Sequence, residues 1–375
     1  MRAAIAASLL LALGAAPPSQ AQQPAAASAT PPAPASGRLM APERVTDRVW
    51  VMRQPDRLWA AVIGNVTIIE QDDGIVLIDS GGSIPDGRDI VKAVAVLSPK
   101  PIKAVAITHW HNDHPLGLPG ILESFPKARV ISTPVTRDLI ATGTNTPLGK
   151  TDPAVDAARL KRVENSIAEL KQEAAGPDVP ADMRAQYDIE IRWIGERVKR
   201  QTGNYVVLPT ETFAASLTIP DPVAPVELRF LGTANTTGDL VAWLPKQKVA
   251  VAGDAVVAPT PYGFTVSTKP WLQALAKLEA LPFTVLIPGH GRVQRDRAYL
   301  ATLKWSMADI ATRAAKAAAD GLTREQAVAA FDRSEQERRF GATDAWTRKW
   351  LNDYWLEGMF GTAFDEAKGI PAPGK

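Results

Sequence analysis

The chain contains no cysteine. That absence excludes a disulfide framework and a lipid attached through cysteine. It also lacks an excess of either charge: 42 Lys and Arg stand against 40 Asp and Glu, a net charge of +2. Nucleic acid and anionic membranes are recognised by concentrated basic patches, so neither is expected as a partner. There is no internal repeat, phosphate-cradling glycine loop or nucleophile elbow. Long apolar runs are scarce, and the one at residues 3–16 falls short of the roughly 20 residues a bilayer-spanning helix needs. It follows Met1-Arg2 and precedes the small-residue cleavage site Ser19-Gln20-Ala21. Residues 1–21 therefore read as a secretory signal peptide, and the Ala/Pro-rich stretch 22–38 as a disordered linker. A periplasmic or secreted mature chain follows, with no stable membrane anchor expected.

Histidine is also rare, and its distribution is informative. Three of the four histidines lie in the run His109-Trp110-His111-Asn112-Asp113-His114. Imidazole nitrogen and carboxylate oxygen are ligands that Zn²⁺ accepts. Such a run can converge on one ion only if the backbone turns, because a strand sends neighbouring side chains to opposite faces. The apolar run 103–107 reads as a buried strand, and Pro115, Gly117, Pro119 and Gly120 break regular structure after the cluster. The cluster thus belongs on a loop at a strand's end.

His109-x-His111-x-Asp113-His114 resembles the signature of the metallo-β-lactamase superfamily, whose members bind one or two metals between two β-sheets flanked by helices. The resemblance implies an α/β, four-layer αββα sandwich over residues 39–300. The pattern along the chain adds to it. Residues 65–70 and 74–79 read as strands joined by a turn, and 86–97 as a crossover helix. Asp79-Ser80-Gly81-Gly82 is similar to the superfamily's first motif, which implies that Asp79 orients metal ligands by hydrogen bonding.

Between about 150 and 202 the period becomes helical. Asp152-Pro153 is an N-cap pair, Leu160, Val163, Ile167 and Leu170 form one stripe, and Met183, Tyr187, Ile191, Ile194 and Val198 a second. This helical hairpin is an insertion that serves either as a lid or dimerisation arm or as a solvated decoration. Residues 301–375 read as a helical extension whose Trp346, Trp350, Tyr354 and Trp355 are expected in core packing.

Further resemblance supplies the remaining ligands. A strand at 225–231 leads into Gly232-Thr233-Ala234-Asn235, where the superfamily usually carries histidine and this chain carries Asn235. Asp254, after Gly253, matches the aspartate shared between two metals, and His290 in Pro288-Gly289-His290 matches the last ligand. The implied second position holds Asp113, His114, Asp254 and His290. The first keeps His109, His111 and the shared Asp254, with Asn235 as a weak ligand or none. One tight zinc is expected, and a second only at raised concentration. Trp110, Tyr262 and Phe264 are expected to give the pocket an apolar wall.

The resulting functional expectation is a zinc-dependent hydrolase attacking an ester, lactone, thioester or amide carbonyl of a small molecule, with Asp113 orienting the water and His109 or His111 available as a base. A β-lactamase and a degenerate, non-catalytic metal-binding protein stand as alternatives.

Overall fold

A computed structural model describes residues 37–142, 146–263 and 266–372. The expected signal peptide, nearly all of the expected linker, and Phe264 lie outside the described residues. Two sheets form the centre of the molecule. The first runs in spatial order β1 (Glu43–Thr46), β2 (Val49–Met52), β3 (Val66–Glu70), β4 (Ile75–Ile78), β5 (Ile102–Ala106), β6 (Arg129–Ser132) and β7 (Glu211–Thr212). The second contains β8 (Ser216–Ile219), β9 (Val226–Phe230), β10 (Leu240–Leu244), β11 (Val249–Val251) and β12 (Val285–Ile287), in order β12-β11-β10-β9-β8. Hairpins join β1 to β4 antiparallel, whereas β4, β5 and β6 run parallel, as crossover helices require.

The helices are α1 (Ile84–Leu97), α2 (Leu118–Leu122), α3 (Pro134–Thr142), α4 (Pro153–Ala174), α5 (Ala181–Gln201), α6 (Thr268–Glu279) and α7 (Ala298–Ala319). After α7 come α8 (Arg324–Ala330), α9 (Ser334–Arg339), α10 (Ala345–Leu351) and α11 (Glu357–Ala367), the last two joined through a π-helical turn at Asn352–Leu356. Among the described residues no helix is long and apolar enough to cross a membrane.

Three apolar layers follow from the strand sequences. Every residue of β4, β10, β11 and β12 is buried, because both faces of these strands are covered. Val76, Ile78, Ala104 and Ala106 meet Leu228, Ala242 and Val251 between the sheets. Leu77 and Val105, on the other face, pack on Ile90 and Val94 of α1, while Trp243 and Ala250 pack beneath α6 and α7. The result is the αββα sandwich.

The α4–α5 hairpin makes three separate attachments. Through Leu170, Tyr187 and Ile194 it packs on Trp346 and Trp350 of α10. Through Trp193 it packs on Leu58 and Ile63 of the loop between β2 and β3. The buried face of α5 is Tyr187, Glu190, Trp193, Ile194 and Arg197. It is wider than the stripe expected from Met183, Tyr187, Ile191, Ile194 and Val198, because the helix packs against α10, the β2–β3 loop and α1. Arg197 is fully buried and is matched by Asp86 of α1 at 2.8 Å, with Arg200 also 2.8 Å from Asp86. A guanidinium without its carboxylate would be strongly destabilising there.

Candidate metal centre

The run 109–114 leaves the C-terminal end of β5 and turns back under the sheet edge. Three hydrogen bonds hold it. Ser80 donates its amide (2.9 Å) and hydroxyl (2.6 Å) to the His114 carbonyl, and the Gly64 amide donates to the Asp113 carbonyl at 3.2 Å. Gly64 is required by close approach: a Cβ there would lie 2.4 Å from the His114 ring. Asp79, buried at the end of β4, accepts from the Thr108 amide and hydroxyl, both at 2.8 Å, and lies 2.8 Å from His114 Nδ1. His114 is thereby fixed with Nε2 turned inward.

The later segments bring two more side chains. Asp254 sits on a short 3-10 turn after β11, and His290 follows β12. Asn65 ties this side to the other sheet: its amide donates to the Gly289 carbonyl at 2.7 Å, and its side chain donates to Pro288 and Gly291 carbonyls at 2.9 Å. Gly289 admits no side chain, since a Cβ would stand 1.9 Å from Asp254 Oδ1.

Asp254 divides its two oxygens. Oδ2 faces His109 Nε2 at 3.5 Å, whereas Oδ1 faces His114 Nε2 at 3.4 Å and His290 Nε2 at 3.5 Å. Asp113 Oδ2 is 3.1 Å from His290 Nε2 and 3.6 Å from His114 Nε2. His111 Nδ1 lies 2.9 Å from His109 Nε2. The structure thus brings together all six of the residues His109, His111, Asp113, His114, Asp254 and His290.

Their environment suits a cation. Asp113 Oδ2, His114 Nε2 and Asp254 Oδ1 are buried without a hydrogen-bond partner, a costly state for atoms of this kind unless an ion satisfies them. Burial alone would raise the carboxyls of Asp113 and Asp254. His114 and His290 outweigh it for both, so each carboxyl is held below its ordinary range. Burial works in the opposite direction on His290, yet Asp254 and Asp113 carry its pKa up to about 9. His111 differs: burial, with His109 beside it, lowers its pKa to about 3. A neutral His111 keeps a lone pair for a metal but is a feeble base for a proton.

Asn235 is buried in the turn after β9, where Asp239 accepts from the Thr236 amide at 2.5 Å and hydroxyl at 3.0 Å. Its Nδ2 donates to the Tyr262 carbonyl at 2.6 Å. The amide nitrogen is therefore committed, and only the oxygen remains as a donor atom for an ion.

Above the cluster opens a cavity of about 360 Å³, mostly apolar, with Asp113, Asp254, His111 and His290 at its base. Tyr262 lines it as expected, but Trp110 does not. Between two inward histidines, Trp110 turns to the other side of the loop and packs with the α1 layer. The cavity wall comes instead from Leu58, Trp59, Ala61 and Val62. Tyr354 also lines it while packing, as expected, against the cluster of Trp346 and Trp350, and Trp355 is buried in the core. Sequence reading missed this wall. One signal was available: Glu190 lies three residues after Tyr187 and four before Ile194, an acid on a buried helical face.

Residues 59–290 match the family model described as the metallo-beta-lactamase superfamily. The chain belongs to that superfamily. Its fold agrees with a stereoselective inverting sec-alkylsulfatase from Pseudomonas sp., at a TM-score of 0.61 and 21% identity over 87% of this chain and 50% of the other. A linear primary-alkylsulfatase from Pseudomonas sp. is 23% identical over 60% of this chain and 41% of its own length. A shorter match, 32% over 16% of this chain and 19% of the relative, is to an atrochrysone carboxyl ACP thioesterase from Cryptosporiopsis sp.. The chain spans half or less of the length of each of these proteins.

Proposed function

We propose that the protein is a zinc-dependent hydrolase of small esters bearing an apolar group, cleaving a carbonyl ester, lactone or thioester. The observation that carries this reading is the division of Asp254: one carboxylate faces His109 with one oxygen, and His114 and His290 with the other, at the base of an apolar cavity. Asp113, His114, Asp254 and His290 would hold the tighter ion. His109, His111 and Asp254 would hold a weaker one, with only the Asn235 oxygen to add. A zinc ion bound there supplies an acidified water and polarises the substrate oxygen.

The protein's own contributions are positional. Asp79 fixes the His114 tautomer by occupying Nδ1, and so presents Nε2. Asp113 directs one oxygen towards His290 and the cavity, where it can orient a water. His111, whose Nδ1 lies 2.9 Å from His109 Nε2 within the cluster, has its proposed role as a ligand. The apolar wall excludes bulk water from the ester and receives its hydrocarbon part.

A second reading, hydrolysis of an alkyl sulfate ester, is favoured by the similarity to the linear primary-alkylsulfatase. Metal analysis of purified protein, followed by turnover of p-nitrophenyl butyrate, a γ-lactone, an acyl thioester, a chromogenic cephalosporin and an alkyl sulfate, separates the readings. Turnover of the carbonyl esters, abolished by chelator, is expected. Exclusive sulfate release would replace the carbonyl reading with the second, and metal binding without any turnover would leave a non-catalytic binding protein.

A further inference from the structure

The wall segment formed by residues 57–63 has no regular secondary structure, yet it is fastened at successive positions by side chains from distant helices. Glu190 of α5 accepts from the Ala60 amide at 2.6 Å through Oε1 and from the Trp59 amide at 3.2 Å through both Oε1 and Oε2. Trp193, one turn later, donates its indole N–H to the Ala61 carbonyl at 3.2 Å. Tyr354 donates its hydroxyl to the Trp59 carbonyl at 2.7 Å. The segment also adopts a demanding backbone, with Arg57 at φ 66° and Ala61 at φ 50°, left-handed values that non-glycine residues hold only when their surroundings enforce them.

Glu190 is the member with no other occupation. It is fully buried, touches no metal-site residue, and has no ion-pair partner among the described residues. A buried carboxyl without a cation is costly and needs a compensating role. Its hydrogen bonds supply one, because they secure the two residues whose neighbours face the cavity. Leu58, Trp59, Ala61 and Val62 line that cavity directly.

We propose that Glu190 is a positioning residue for substrate selectivity: by gripping the Trp59 and Ala60 amides it sets the apolar wall, and so determines the length of hydrocarbon group the site accepts. The inserted helical hairpin is then a structural part of the substrate site. This rests on the ester-hydrolase reading above, and deepens it.

The isosteric Glu190→Gln variant keeps the acceptor oxygen that serves both amides and loses only the second Trp59 contact, the one to Oε2, whereas Glu190→Leu fills the space without an acceptor. Steady-state kinetics with p-nitrophenyl acetate, butyrate and octanoate, on proteins of matched metal content, should show Gln following the parent profile. In the Leu variant KM for octanoate should rise about tenfold, the loss of burying one or two methylenes, with a much smaller change in kcat. Equal chain-length profiles in the parent and Leu proteins would overturn the proposal, as would an equal fall in kcat on all three esters. Amide exchange provides the measurement that does not need turnover. Trp59 and Ala60 should be protected in the parent and Gln proteins and should exchange faster in Leu. If Leu fails to fold, rapid exchange at both amides in the parent protein overturns the grip, and slow exchange with an unchanged Gln profile supports it. A parent that hydrolyses none of the esters removes the ester-hydrolase reading, while exchange still decides whether Glu190 holds the wall.

Discussion

Asn235 Nδ2 donates to the main-chain carbonyl of Tyr262 at 2.6 Å. The residue that replaces the superfamily's usual histidine is thus tied into the cavity wall, and its orientation is set by that bond. A histidine at the same position could make the same donation from Nδ1 and present Nε2 to the site. Asn235→His should therefore convert a weak first position into one that holds zinc nearly stoichiometrically. Titration against a chromophoric chelator should count two tight ions where the parent binds one. A parent that already binds two with equal affinity would contradict the asymmetric site.

Asp79→Asn tests how His114 is held. The carboxylate serves Thr108 with both oxygens and His114 with one. An amide has a single acceptor oxygen and must give up part of this set. Metal affinity should fall about 10–100-fold with the fold intact. Chelator competition measures the first, and circular dichroism checks the second. Unchanged affinity would mean that Asp79 braces the loop only.

Glu190 also gives the protein a pH signature in stability. Burial raises its pKa to about 8, against the opposing hydrogen bonds from Ala60 and Trp59. The folded state therefore keeps a proton that the unfolded chain releases near pH 4.5. This contribution is fully present below the unfolded value and is lost as pH rises through about 8. Relative to Glu190→Gln, the parent should lose stability between pH 5 and 8.5, on the order of a few kcal/mol. Urea denaturation of both proteins at the two pH values reads the difference, and a gap that does not change with pH would contradict it.

Tyr354→Phe keeps the ring on the cavity but leaves the Trp59 carbonyl without its donor. The expected cost is about 1–2 kcal/mol in urea denaturation. Because the ring still lines the cavity, any rise in KM reports on the wall's position and not on lost contact area.

The 109–114 part of the candidate ion cluster was legible because its signal is local and chemical. Three rare histidines and an aspartate at fixed short spacing need no long-range information, whereas Asp254 and His290 were reached only through the resemblance to the superfamily's motifs. The sheets were legible from apolar runs, but β1, β7 and β8 were not anticipated. These edge strands are short and only partly buried, so they carry little hydrophobic pattern. Trp110 was misplaced because neighbours on a turning loop alternate sides, and the ligand positions alone do not say which side lines the cavity. Tyr354 and Glu190 were missed for a different reason. Each serves a loop remote in sequence, Glu190 at a separation of 130 residues and Tyr354 at 295, so a periodic stripe records their burial without naming what they touch.

The bond from Tyr354 to Trp59 carries a consequence for how the protein matures on the ribosome. Every side chain of the candidate ion cluster has been synthesised once His290 emerges, well before the C-terminal helices that close the wall. Loops closed over such separations form late. The candidate ion cluster can therefore precede the cavity in time, and helices translated after it complete the chamber rather than the cluster.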